Sequence, residues 1–138
     1  NYVHERIGFN YRMSDLQAEL ALKSLEVIDA SLQHRKNIEA WYDEYLDTRF
    51  IRPKRDVVWV YDIDCTRPAE LVQWLNEKEI AARRTFAPMS MQPCFGVREG
   101  HQELQAYRLY ENSCYLPVSD SLDHEDVKKI AALVNAYG

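Results

Sequence analysis

The 138 residues carry 22 acidic and 17 basic side chains for a formal charge of -5, and 46% of them are apolar, enough for one domain with a real core. The acidic balance and the lack of any Lys/Arg block exclude a phosphate-backbone partner, so no nucleic acid is expected. No stretch of about eighteen apolar residues, signal-peptide pattern or basic amphipathic leader occurs, so no membrane segment and a cytoplasmic setting are expected.

In chain order, the first signal is "IGFNYRMSDLQ", Ile7 to Gln17. Ser14 followed three residues later by Gln17 is a capping box, and Asp15 places negative charge where the helix dipole favours it. Ala18, Ala21, Leu25, Ile28 and Leu32, then Ile38, Tyr42 and Tyr45, continue at helical spacing to about Asp47 with no Pro or Gly between. At 1.5 Å per residue that helix would span roughly 50 Å, against a radius of gyration of roughly 14 Å for a compact chain of this size. Unless it breaks near Ala30-Ser31, it must reach toward another domain or subunit.

After the basic turn Arg52 to Asp56, the apolar run Val57 to Ile63 predicts a strand buried on both faces. Thr66 is placed to cap a helix with Pro68 in its first turn, running to about Lys78. Ile80 to Phe86 predicts a second strand, and Ala87 to Pro93 an ordered, Pro-punctuated loop. A short helix near Glu103 to Glu111, a strand Cys114 to Leu116 stopped by Pro117, and a last helix capped by Asp123 complete the order. The expected fold is α+β, a small sheet covered by helices, of split βαβ type.

Chemistry-bearing residues are few. The four glycines form neither a dinucleotide nor a P-loop spacing. His4, His34, His101 and His124 stand alone, and Cys65, Cys94 and Cys114 lack metal-ligand spacing, so no metal site is expected and the cysteines read as reduced structural thiols. A helix N-terminus holds anions well, and Asn10, Tyr11 and Arg12 could all donate to one there, with Gly8 letting the backbone turn. Equally, Asn10 could cap the turn and Arg12 pair with Asp15 or Glu19. Arg83 to Phe86, running into the Met-lined loop, could form the rim of a polar, partly aromatic pocket; Met89 and Met91 serve as well for packing.

The segment "HERIGFNYRMSDLQAELALKSLE", His4 to Glu26, closely resembles the start of the second half of DegT-type nucleotide-sugar aminotransferases, fold-type I enzymes dependent on pyridoxal phosphate (PLP). Arg84-Thr85-Phe86 with Pro88 to Pro93 resembles that family's Thr-Arg-Pro-Phe-Phe-x-Pro loop, and Tyr115-Leu116-Pro117 its ending before a last helix. The blocks look most like the perosamine synthases. The resemblance implies a small C-terminal domain at residues 51–138 with a mainly antiparallel sheet, preceded by a linking and dimer helix within residues 1–50. It implies that Asn10, with Arg12 and Tyr11 beside it, holds the cofactor phosphate of the other subunit of a homodimer. Arg84, Phe86, Met89, Ser90 and Gln92 would line the pocket for a nucleotide-linked keto-deoxy sugar, with glutamate the usual amino donor; Ser90 stands where many members have His.

The family's Schiff-base lysine lies upstream of the point where this chain begins, and Lys23, Lys36, Lys54, Lys78, Lys128 and Lys129 stand in no such context. Since the chain opens on Asn1 without an initiator Met, it reads as a piece of a longer polypeptide, unable to transaminate alone. The alternative is a free-standing, non-catalytic binding or regulatory module derived from the same family.

Overall fold

The computed structural model describes residues 3–9, 12–96 and 105–137. The long helical pattern resolves into α1 (Asp15–Glu26) and α2 (Ile28–Tyr45), separated by Val27 alone, whose φ of -116° and ψ of 6° leave the helical region. The break falls three residues before Ala30 and is slight, because the Ser31 N–H still reaches the Val27 carbonyl at 3.1 Å. None of the residues of α1 is buried, whereas α2 buries Ile38, Glu39 and Tyr42.

Three short strands follow: β1 (Tyr61–Asp64), β2 (Arg83–Arg84) and β3 (Ser113–Leu116). They form one antiparallel sheet in the order β1-β3-β2, with Ile63 opposite Cys114 and Arg84 opposite Cys114 on the other side. Since β1 and β2 run parallel with β3 between them and α3 (Pro68–Asn76) connecting them, the unit is a split βαβ. The chain closes with α4 (Gln105–Asn112) and α5 (His124–Tyr137).

Several sequence expectations need correction. The strand at Val57 to Ile63 starts only at Tyr61, and Val57 and Trp59 are 64% and 66% exposed rather than buried on both faces. The reason is position: Val57 and Trp59 precede the ladder and pair with no strand, while within β1, an edge strand, Tyr61 and Ile63 are buried and Asp64 is exposed. The second strand shrinks from Ile80–Phe86 to two residues because only Arg83 and Arg84 meet β3. Thr66 does not cap α3; Arg67 holds the cap position without a side-chain bond, and Pro68 supplies the preset φ of the first turn. Past its end, Glu79 adopts a positive φ of 62° while the Ile80 N–H bonds the Leu75 carbonyl at 3.0 Å. Asp123 does cap α5, its Oδ1 accepting the Asp126 N–H at 2.9 Å.

The core lies between the sheet and the helices. Ile38 and Tyr42 of α2, Ile63, Leu116, Leu71 and Leu75, and Val127, Ile130, Ala131 and Val134 of α5 all lie within it. Burial raises the pKa of Tyr42 strongly, since its phenolate would lie among apolar groups; its hydroxyl donates to the Pro117 carbonyl at 3.1 Å. Among the described residues no helix is long and apolar enough to cross a membrane.

Candidate functional site

The first candidate region is the approach to α1. Ser14 Oγ accepts the Gln17 N–H at 3.4 Å and Gln17 Oε1 accepts the Ser14 N–H at 2.9 Å, so the capping box forms and occupies two of the donors there. The remaining first-turn N–H groups and the positive end of the dipole lie at the end of α1 that follows Arg12, which is exposed. Asn10 and Tyr11, expected to share a phosphate with Arg12, lie outside the described residues. Gly8 does not carry the positive φ that a tight turn would demand, and a Cβ built on it would meet nothing within 4 Å. Fold geometry within this chain therefore does not require glycine at that position.

The second region is the loop after β2, and the two regions touch. The His4 N–H donates to Gln92 Oε1 at 2.9 Å, and the Cys94 N–H donates to the His4 carbonyl at 3.1 Å. Gln92 is only 4% exposed, so an uncharged amide deep in the loop fastens the segment that leads toward Arg12. No spacing in the sequence announces a bond across 88 positions.

Around the loop, the residues expected to line one pocket separate. Arg84 lines a cleft of about 790 Å³ together with Arg83, Thr85, Ala87, Asn76 and Tyr110. Its Nη2 donates to the Tyr110 carbonyl at 2.7 Å, its guanidinium lies 4.6 Å from the Tyr110 ring centroid, and its buried Nε has no hydrogen-bond partner. Thr85 and Ser113 hydroxyls meet at 2.7 Å, and Ser113 also donates to the Leu109 carbonyl, which fixes α4 against the strands. Phe86 instead stacks on Trp59 at 5.4 Å with planes 7° apart, and on Tyr115 at 5.8 Å. Met89 and Ser90 lie in a 3-10 turn, Met89 being 65% exposed, while Gln92 serves the clamp. Only Arg84 of the expected five thus lines the cleft.

Sequence reading missed Tyr110, Trp59 and an ion cluster. Arg55 donates to Glu39 at 3.0 Å and to Asp62 at 2.6 Å, and Arg52 to Asp62 at 2.7 Å and Asp64 at 2.5 Å. Burial opposes the charge of Arg55, yet its hydrogen bonds with Asp62 and Glu39 outweigh that and raise its pKa. The alternate acids Asp62 and Asp64 following a basic turn were the available signal. Tyr61, whose pKa is raised by burial and by donating to Asp43 at 2.7 Å, closes the back of this cluster.

Chemically the cleft at Arg84 offers guanidinium, hydroxyl and ring groups. Each of the six lysines is exposed. Lys23 pairs with Glu26 at 3.1 Å, and Lys78 and Lys128 lie over the rings of Trp74 and Tyr45. Among the described residues no three His, Cys, Asp or Glu side chains could share a metal ion.

Comparison with known proteins gives this surface a context. The model of the DegT/DnrJ/EryC1/StrS aminotransferase family matches residues 1–135. GDP-perosamine synthase of Caulobacter vibrioides is 26% identical over 94% of this chain and 38% of its own length. The dTDP-3-amino-3,6-dideoxy-alpha-D-galactopyranose transaminase of Aneurinibacillus thermoaerophilus is 25% identical over 95% of this chain and 38% of its own length. A DegT/DnrJ/EryC1/StrS aminotransferase of Brucella abortus, known by its crystal structure, shares the fold at a TM-score of 0.76 and 23% identity, covering 99% of this chain and 39% of that one. The chain thus spans about two fifths of the length of these relatives.

Proposed function

The chain belongs to the DegT/DnrJ/EryC1/StrS aminotransferase family, and from that premise we propose that it is the second part of a PLP-dependent enzyme that aminates a nucleotide-linked keto-deoxy sugar. Glutamate is the amino donor of this reading, the enzyme is a cytoplasmic homodimer, and the lysine that holds the cofactor is supplied by sequence outside these residues. Residues 51–138 are then the small domain and residues 1–50 the linking and dimer segment. The observation that carries it is the exposed α1: its capped N-terminus follows the Asn10-Tyr11-Arg12 block, and Leu16, Leu20 and Leu25 are 69%, 61% and 58% exposed on it. A helix with that much apolar surface and no buried residue suits a surface that another domain or subunit covers.

The donors here suit a phosphate and not the cofactor's whole chemistry. In sequence Asn10, Tyr11 and Arg12 precede the first-turn N–H groups of α1, which fits an anion, while all six lysines are exposed. PLP, when bound, supplies an electron sink for the amino acid's Cα. Within this reading Asn10 and Arg12 hold the phosphate of the partner's cofactor, and Arg84, with Phe86, Met89, Ser90 and Gln92 around the loop, borders the nucleotide sugar. Gln92 contributes indirectly, by keeping the His4 segment against the loop.

The test is to compare the full open reading frame containing this chain with the 138-residue chain itself. Transfer of nitrogen from labelled glutamate to a nucleotide-linked 4-keto-6-deoxy sugar, followed by mass spectrometry, should occur with the first and not with the second. Asn10→Ala in the complete protein should weaken cofactor retention by about tenfold or more, the worth of a hydrogen bond to a charged group. Turnover by the short chain alone, or a reading frame without a suitable lysine, would overturn the proposal.

A further inference from the structure

On the sheet face opposite Asp62 and Tyr115, two cysteines far apart in sequence meet. Cys114 stands across from Ile63, and the Cys65 N–H bonds the Asn112 carbonyl at 2.9 Å, so Cys65 and Cys114 are diagonal neighbours on one face of an antiparallel pair. Their sulfurs are 3.7 Å apart. Cys65 is half-buried and lines a cavity of about 300 Å³ with Arg49, Arg67, Leu71, Asn112 and Tyr137, whereas Cys114 is fully buried behind it. One thiol is therefore open to a small molecule and the other is reachable only through the first.

From this geometry we infer that Cys65 is a modification site for low-molecular-weight disulfides, and that Cys114 resolves the adduct into an internal Cys65–Cys114 disulfide between β1 and β3. The hydrogen bond from the Cys114 thiol, with the positive Arg84 nearby, favours the thiolate on Cys65 despite its burial; that same bond, and burial, raise the pKa of Cys114. The Cys65 thiolate attacks one sulfur of the reagent, the reagent's S–S bond breaks, and its departing thiolate takes up the proton that Cys65 released. Cys114 then loses its proton and attacks the Cys65 sulfur, expelling the second reagent thiol. One reagent disulfide is reduced to two thiols while two cysteines are oxidised to one cystine. Bond formation asks the sulfurs to close from 3.7 Å to about 2.05 Å, and from diagonal positions it asks β1 and β3 to shift slightly toward each other as the bond forms.

Cys94 is the internal control, lying in the Pro93–Phe95 turn, outside the sheet. The complete protein is treated under native conditions with oxidised glutathione, quenched in acid, alkylated with N-ethylmaleimide while unfolded and digested with trypsin without reduction. The expected product joins peptides 56–78 and 109–128 and is lighter by two hydrogens than their sum. Cys114→Ser should arrest the reaction at a stable glutathione adduct on Cys65, and Cys65→Ser should abolish both species. Free Cys65 and Cys114 after treatment of the native protein, a persistent Cys65 adduct in the unmodified sequence, or linkage through Cys94 would each overturn the inference.

Discussion

Leu20 and Leu75 both lie on helices with apolar neighbours three or four residues away, yet Leu20 is 61% exposed and Leu75 fully buried. Leu75 has the sheet and α5 to pack against, while among the described residues nothing buries Leu20. The same apolar periodicity thus stabilises one helix through its own fold and leaves the other with contact surface to spare. Amphipathicity reports that a helix has a partner without reporting whether the partner belongs to the same chain.

The largest expected contrast comes from truncating both leucines. Leu75→Ala should destabilise the chain by about 3 kcal/mol in urea unfolding, whereas Leu20→Ala should change it by less than about 0.5 kcal/mol. Equal losses would mean that α1 packs onto the body after all. A matched pair of charges sharpens the point. Arg55→Met leaves Glu39, 7% exposed, without its guanidinium and should cost about 2 kcal/mol, but Lys23→Met removes an exposed pair and should cost under about 0.5 kcal/mol.

Alkaline unfolding should also arise in the body. The folded-state pKa values of Tyr42 and Tyr61 lie above the unfolded phenol value of about 10. Above that pH the unfolded chain sheds protons that the native state keeps, so the stability these tyrosines confer is complete below pH ~10 and declines as pH rises beyond it. Tyr42→Phe should flatten that decline in unfolding curves recorded across the range. Smaller effects come from helix ends. Asp123→Ala should lower global stability by about 1 kcal/mol, while Ser14→Ala should fray α1 by circular dichroism and leave the unfolding midpoint unmoved. Glu79→Gly should raise stability by about 0.5 kcal/mol, because glycine takes the positive φ there without strain.

Much of the body was legible because local rules and burial agree there. Asp123 capping α5 and Val127, Ile130, Ala131 and Val134 forming its inner face follow from spacing alone. Val57 and Trp59 misled because an apolar run looks the same whether or not a neighbouring strand pairs with it, and here the ladder begins only at Tyr61. At the site, Arg84 was legible as a strand-end cation. The Gln92–His4 clamp and the Cys65–Cys114 approach were not, since each joins residues that only the finished topology brings together. The resemblance of His4 to Glu26 to a known family supplied what periodicity could not, the family to which the chain belongs.

The clamp also sets an order of events during synthesis. At about 5–20 residues per second, the 88 positions between His4 and Gln92 take on the order of ten seconds to be made. Through that interval the nascent arm and the leucines of α1 have left the ribosome while their anchor does not yet exist. His4 therefore waits for its anchor while that stretch is made, and the apolar surface of α1 stays available to a neighbouring chain or a chaperone throughout the wait.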